Sequence, residues 1–154
     1  MKRKVIRILS RVFFALYMFV LIYLLFLSEL FGRGVPYTEF RYNIIPFQEI
    51  IRFCHYPESM AFWINVPGNV VAFMPYGALL RWVWDRKTRW YHAFGYTLLF
   101  SFIVECVQLI TKVGSFDVDD LLLNTLGGLS GFWIYCILTY INRRSEQHAE
   151  RKRL

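Results

Sequence analysis

The chain has 154 residues, of which 56% are hydrophobic and 19% aromatic, and it carries 18 Lys and Arg against 11 Asp and Glu. This length is enough for one domain, but so apolar a composition is unusual for a water-soluble domain of that size. Basic residues gather on the cytoplasmic flanks of spanning helices, so the composition favours a membrane protein over a nucleic-acid-binding protein. The three cysteines, Cys54, Cys106 and Cys136, lack the CxxC spacing of a zinc site and do not suggest a disulfide framework.

The N-terminal segment predicts a membrane-spanning helix. It begins with five basic residues, and an uncharged run from Val12 to Ser28 follows. This run is long for the apolar part of a signal peptide, and no small-x-small cleavage site comes after it. We therefore predict an uncleaved first span over about 6–31.

A mixed stretch follows and contains the sequence "NIIPFQEIIRF". Its spacing places Phe47, Ile50 and Ile51 on one helical face, while charged and amide side chains occupy the other. Proline is tolerated in the first turn of a helix, where Pro46 would lie. We expect a short amphipathic helix over Pro46–Phe53, which is too short to span and would lie at the extracytoplasmic interface.

Three further apolar segments, at about 62–84, 90–111 and 121–141, each approach the ~20 residues that cross a bilayer. Four spans place both termini on one side of the membrane. The segments then assigned to the cytoplasm hold fourteen of the eighteen Lys and Arg residues, which obeys the positive-inside rule. The sequence thus predicts an all-α integral membrane domain over 1–142, with cytoplasmic termini and a basic cytoplasmic tail over 143–154.

Polar residues of the second, third and fourth predicted spans fall at similar depth near the outer leaflet. Glu105 lies six residues before Thr111, about 9 Å from the outer end of its span, and Gln108 shares its face. Intramembrane ionisable residues usually mark a functional site, because they are costly to keep there. We therefore predict a pocket open to the extracytoplasmic side, with these ligand-binding residues: Asn69, Glu105, Gln108, Asp117, Asp120 and Asn124.

Several of these residues also have structural explanations. Glu105 can be a buried acid that is hydrogen-bonded to Asn69, Asn124 or a free backbone carbonyl. Asp117 and Asp120 match the N-cap and N3 positions of the fourth span, as in a capping box. The aspartates of "DVDD" could instead coordinate a cation, although we predict no metal site.

The shape of the bundle depends on prolines, glycines and one aromatic residue. Pro75 removes a helical hydrogen bond and frees the carbonyl of Val71, which predicts a kink. Gly127 and Gly131 form a GxxxG pattern that lets a neighbouring helix approach closely. The residues assigned structural roles are Pro46, Phe73, Pro75, Gly77, Gly127 and Gly131.

The segments "NIIPF", "NVVAFMPYGALL" and "ECVQLITKVGSFDVDDLLLNTLGG" together resemble the VanZ-like family of small bacterial membrane proteins. The resemblance covers roughly 43–131. It implies a location in the bacterial cytoplasmic membrane and low-level resistance to teicoplanin, a lipoglycopeptide. The matching positions are Asn69, Phe73, Pro75, Gly77, Glu105, Gln108, Asp117, Asp120, Asn124 and Gly127. Many relatives carry an arginine in the loop before the acidic stretch, where this chain has only Lys112.

Three functions remain open at this stage. In the first, the pocket binds an amphiphile, either teicoplanin or a lipid-linked cell-wall precursor, without catalysis or a cofactor. In the second, Asp120 and Glu105 act as acid–base residues of an enzyme that modifies a lipid phosphate or wall precursor. In the third, Glu105 couples transport to protons, in a homodimer formed through Gly127 and Gly131. We adopt the first, because of the shared depth of Glu105, Asn69, Asn124 and Asp120 and because of the family resemblance. The chain has no GxSxG, HExxH or GxGxxG motif that would call for an enzyme, and no inverted repeat is evident, which disfavours the transporter.

Overall fold

The computed structural model describes residues 2–27, 37–83 and 88–151. Its helices are α1 (Lys2–Phe26), α2 (Gln48–Cys54), α3 (Met60–Trp63), α4 (Asn69–Val83), α5 (Trp90–Thr111) and α6 (Val118–Arg151). A π-helical segment, Ile64–Gly68, joins α3 to α4. Two short strands, β1 (Tyr42–Asn43) and β2 (Phe116–Asp117), pair in parallel. The helical class predicted from the sequence is confirmed, with this one two-residue pairing added.

Three of the described helices are long and apolar enough to cross a membrane, over Ile8–Phe26, Trp90–Thr111 and Val118–Ala149. They correspond to the first, third and fourth predicted spans. α5 has the predicted bounds. α1 ends before residue 31, and positions 28–31 of the first prediction lie outside the described residues. α6 begins before residue 121 and continues to Arg151, so the predicted tail is helical as far as it is described.

The predicted second span, 62–84, is helical but is not one regular α-helix. In a regular α-helix the ring of Pro67 would clash with the carbonyl of Trp63, four residues earlier. The π-helical segment contains Pro67 and widens the turn there. The backbone stays right-handed helical at Ile64 and Asn69, so α3, the π segment and α4 follow one another without a loop. α4 alone has 15 residues, short of a ~20-residue span, and a fourth crossing remains a prediction.

Hydrogen bonds near the helix ends show that the long helices alternate in direction. Gln108, near the end of α5, donates through Nε2 to the carbonyl of Leu25, near the end of α1, at 2.8 Å. Asn69, at the start of α4, donates to the carboxylate of Asp120, in the first turn of α6, at 2.6 Å. Residues 37–59, which we call the cap layer, also contact the start of α6. This end of the bundle is the one that the sequence predicts to face outward.

Small residues bring α4 and α6 into backbone contact. A Cβ atom on Gly77 would lie 1.7 Å from the carbonyl oxygen of Gly128, and one on Gly131 would lie 1.8 Å from that of Met74. Gly127 faces α4 in the same way, against the carbonyl of Val70. The GxxxG stripe is therefore occupied within the chain, and the homodimer through it stays a prediction.

The interior near the cap layer is built on Phe73, which is fully buried. It packs with Leu21 and Leu25 of α1 and with Val104 of α5. One turn before Pro75, the hydroxyl of Tyr17 donates to the carbonyl of Ala72 at 2.7 Å. This carbonyl neighbours that of Val71, which Pro75 leaves without its helical donor, so α1 hydrogen-bonds to the helix where the proline weakens it.

Replacing Gly77 by alanine should destabilise the bundle, because the new methyl group overlaps the Gly128 carbonyl and forces α4 away from α6. Overpacking of this kind costs about 1–3 kcal/mol. Thermal unfolding of the purified protein in detergent would measure the loss. The matched control is Gly95→Ala, since a Cβ at Gly95 meets no atom within 4 Å. Equal melting temperatures for the two variants would contradict the close approach of the helices.

Candidate functional site

The N-terminus of α2 is capped by a residue of another helix. Phe47 occupies the N-cap position in the left-handed region, with φ of 66°, and gives no side-chain cap. Instead the carboxylate of Asp119 accepts hydrogen bonds from the amide of Phe47, from that of Glu49 at 2.8 Å and from that of Ile50 at 3.1 Å. Asp119 is only 1% exposed. Three N–H groups and the positive end of the α2 dipole therefore replace the water that this buried charge has lost.

Asp117 is the N-cap of α6 and also holds the cap layer. Its Oδ1 accepts from the amide of Asp119 at 2.8 Å and from Nδ2 of Asn43 at 3.0 Å. Burial raises the pKa of this carboxyl above its ordinary value of 3.8. Its hydrogen bonds to Asp119 and Asn43 lower the pKa, whereas the neighbouring charges of Asp119 and Glu49 raise it further. Asp117 thus favours a proton more strongly than a free aspartate does.

Glu105 is fully buried in α5 and accepts a hydrogen bond through Oε2 from the backbone amide of Asp117 at 2.9 Å. The sequence predicts a capping box in which Asp120 serves this amide. In the structure the acceptor is a carboxylate of a different helix, while Asp120 accepts from Asn69. The acid in the apolar run therefore holds the first residues of α6 in place.

The other predicted ligand-binding residues lie inside the bundle or behind the aspartates. Gln108 and Asn124 are fully buried, and Nδ2 of Asn124 donates to the hydroxyl of Ser101 at 2.9 Å. Asn69 is 5% exposed and supports Asp120 from α4. Of the structural residues, Pro46 lies in the turn before α2 and not in its first helical turn, because the left-handed Phe47 separates it from the helix.

A cavity of about 310 Å³ lies between the cap layer and the start of α6. Its walls contain two of the predicted ligand-binding residues, Asp117 and Asp120. Glu105, Gln108 and Asn124 do not line it. The lining residues are Tyr37, Arg41, Tyr42, Asn43, Glu49, Ile50, Arg52, Phe53, Asn65, Val66, Ser115, Asp117, Asp119, Asp120 and Leu123.

The cavity contains two arginines that the sequence did not single out. The guanidinium carbon of Arg41 lies 4.4 Å from the centre of the Tyr37 ring. Arg52 forms an ion pair with Glu49 and lies over the ring of Phe53. Lys112 does not line the cavity: its ammonium group donates to the carbonyl of Thr38 at 2.9 Å and so holds the loop before β1.

Asp119, Arg41 and Asn43 have only weak signals in the sequence. Asp119 stands in "DVDD", but nothing local in the sequence identifies partners some 70 residues away. Arg41 and Asn43 lie outside the predicted spans, so they are not found among the polar residues within spans. Within residues 2–27, 37–83 and 88–151, no group of three or more His, Cys, Asp or Glu residues is placed to hold a metal ion. The arrangement can hold a small polar ligand through charged and amide groups.

Comparison with known proteins identifies a family and a curated relative. The VanZ/LLP1 family model matches residues 14–139, a range that contains every residue lining the cavity. Protein VanZ of Enterococcus faecium is 28% identical over 150 residues, which cover 96% of this chain and 82% of that protein. No solved structure matches the chain significantly.

Replacing Asp119 by asparagine should loosen α2, because a carboxamide offers one acceptor oxygen and turns an NH₂ group toward backbone donors. Loss of a helix cap costs about 1–2 kcal/mol. Hydrogen exchange at the amides of Phe47, Glu49 and Ile50 should then accelerate roughly five- to thirty-fold. Glu58→Gln, which removes an exposed carboxylate of the same cap layer, is the control and should leave these amides unchanged. Unchanged exchange in the Asp119 variant would refute the capping role.

The raised pKa of Asp117 should appear in the pH dependence of stability. As pH rises above 3.8, the unfolded chain loses this proton before the folded protein does. The free energy of unfolding therefore falls until the folded-state pKa is passed, and then levels off. Asp117→Asn retains an acceptor oxygen but cannot ionise, so it should lack this part of the loss. Thermal unfolding of both proteins across this pH range tests the effect, and parallel profiles would contradict it.

Proposed function

Because this chain belongs to the VanZ/LLP1 family, we propose that it confers low-level teicoplanin resistance by binding the polar headgroup of a membrane amphiphile. The binding site is the cavity between the cap layer and the start of α6. Three apolar helices of spanning length and the family match fit a membrane protein. The positive-inside distribution supports an orientation in which the cavity faces the extracytoplasmic side.

The cavity itself is the observation that carries the proposal. Its volume of about 310 Å³ stands at the lower end of the ~300–1,000 Å³ typical of ligand pockets. A headgroup or a short polar segment fits this volume, whereas the peptide nucleus of a glycopeptide antibiotic does not. The walls are mostly charged and polar, which disfavours an acyl chain inside. These properties favour a membrane amphiphile, such as a lipid-linked wall precursor, over the antibiotic itself.

The position of α2 supports a ligand that arrives from the lipid. Ile50 and Phe53 line the cavity and are half-buried, whereas Phe47 and Ile51 do not line it and are exposed. Ile44 and Ile45, just before α2, are exposed as well. An amphipathic segment of this kind suits the boundary between headgroups and acyl chains. The headgroup of a neighbouring lipid could then enter the cavity while its chains remain in the bilayer.

The positions of the acids favour binding over the enzyme and transporter alternatives. Acid–base chemistry with Glu105 and Asp120 needs both groups to reach one substrate. Asp120 lines the cavity, but Glu105 lies beneath it and accepts from the amide of Asp117. Either alternative would require Glu105, which is 1% exposed, to reach a ligand in the cavity.

Filling the cavity should abolish resistance. Ser115 lines the cavity, so Ser115→Phe would occupy part of its volume with a ring. In a susceptible Gram-positive host, the wild type should protect against teicoplanin, and the variant should fall to the level of the empty vector. The measurement is the inhibitory concentration of teicoplanin and vancomycin at matched membrane levels of each protein.

Ser145→Phe provides the control, since it adds the same ring at an exposed position near the end of α6. It should protect as well as the wild type does. Protection that survives the filled cavity would place the activity elsewhere in the protein. Equal susceptibility in every strain, wild type included, would mean that the chain does not confer the resistance.

A further inference from the structure

The cavity has charged groups of both signs, and they lie at different depths. Arg41 and Arg52 come from the cap layer and are exposed. Asp117 and Asp119 come from the start of α6 and are 9% and 1% exposed. A ligand that enters the cavity therefore meets guanidinium groups at the mouth and carboxylates at the inner wall.

The inner wall is formed by acidic side chains. Asp117 and Asp119 accept hydrogen bonds from backbone amides and from the carboxamide of Asn43, all of which are neutral donors. Neutral donors stabilise a carboxylate without cancelling its long-range field. Burial is the main cause of the raised pKa of Asp117, and the charges of Asp119 and Glu49 raise it further. A cationic group of a ligand would lower the energy of this wall.

The mouth keeps positive charge. Arg41 stacks on Tyr37, and among the described residues no carboxylate forms an ion pair with it. A guanidinium that stacks through its face still presents its N–H edge, whose geometry suits phosphate or carboxylate. Arg52 is partly compensated by Glu49. The mouth can therefore take one anionic group, chiefly through Arg41.

We propose that the ligand is a zwitterionic amino-phosphate headgroup, which places its ammonium group against Asp117 and its phosphate against Arg41. This inference rests on the proposed function and names the chemical class of its ligand. A purely anionic headgroup would satisfy Arg41 but would face the repulsion of the aspartates. A purely cationic group would leave Arg41 without an anion. Phosphoethanolamine, as a lipid headgroup or as a free molecule, has both charges and is small enough for the cavity.

Calorimetric titration of the purified protein in uncharged detergent tests this class directly. The ligands are short-chain phosphatidylethanolamine, phosphatidylglycerol with the same chains, and water-soluble phosphoethanolamine. We expect the ethanolamine lipid to bind about tenfold more tightly than the glycerol lipid, a difference of about 1.4 kcal/mol. Comparable binding of soluble phosphoethanolamine would support the same charge pattern and identify a water-soluble source.

Two variants separate the charges, and one serves as a control. Arg41→Gln should weaken both lipids, because both carry the phosphate. Asp117→Asn should weaken the ethanolamine lipid and strengthen the glycerol lipid, so that the preference falls. Arg143→Gln removes an exposed cation of α6 far along the chain from the cavity and should change neither affinity. Thermal unfolding of each variant checks that it is folded.

The outcomes distinguish this inference from the proposed function. Equal binding of the two lipids, or tighter binding of the glycerol lipid by the wild type, would overturn the zwitterionic headgroup and leave amphiphile binding standing. Affinities that do not respond to Arg41→Gln would also overturn it. If the folded protein binds none of these ligands, and Ser115→Phe keeps its resistance, the cavity is not the functional site and both proposals fail.

Discussion

A carboxylate removed from water is stable only where other donors replace its hydration. The end of the bundle that contacts the cap layer depends on meeting that requirement for three acids in succession. Glu105 accepts a hydrogen bond from the backbone amide of Asp117, and the carboxylate of Asp117 accepts one from the amide of Asp119. The carboxylate of Asp119 in turn accepts hydrogen bonds from the amides at the start of α2. This hydrogen-bond chain runs from α5 through the first turn of α6 to the cap layer. Each acid thereby fixes the backbone that positions the next.

The cavity follows from this mode of attachment. A cap layer held by apolar packing would close against α6 and leave little space between them. Here α2 is held at its N-terminus by one buried side chain, and β1 is held by the two-residue pairing and by Asn43. The space between these two attachments is lined by the same acids that make them. Attachment and the proposed ligand recognition therefore depend on the same residues, so a substitution in the aspartate cluster should affect both.

Sequence periodicity was enough for the elements whose structure is local. The length and polarity of α5 follow from hydropathy, and the N-cap role of Asp117 follows from its position before an apolar helix. The position of Glu105 near one end of α5 likewise follows from its separation of six residues from Thr111. The sequence does not predict that Glu105 accepts a hydrogen bond from the backbone of Asp117, because every residue type except proline has such an amide. The capping of α2 by Asp119 joins residues about 70 positions apart, beyond the reach of any local pattern. The π segment was missed because Pro67 predicts a disturbance but not the form that the helix adopts to absorb it.

The same hydrogen-bond chain gives the acid in α5 a structural role. An ionisable residue in a span is a functional candidate because of its cost, and the simplest expectation is contact with a ligand. Glu105 is stabilised in a different way, because it accepts a hydrogen bond from the backbone amide of Asp117. This hydrogen bond holds Asp117 where its side chain lines the cavity. In the proposed binding function Glu105 is a positioning residue, because it does not line the cavity itself. Arg41 lies outside the spans, is exposed and lines the cavity, so the proposed ligand could contact it directly. Hydropathy most readily identifies residues such as Glu105, which hold the walls of the cavity in place. The positive charge of the cavity comes instead from arginines of the cap layer.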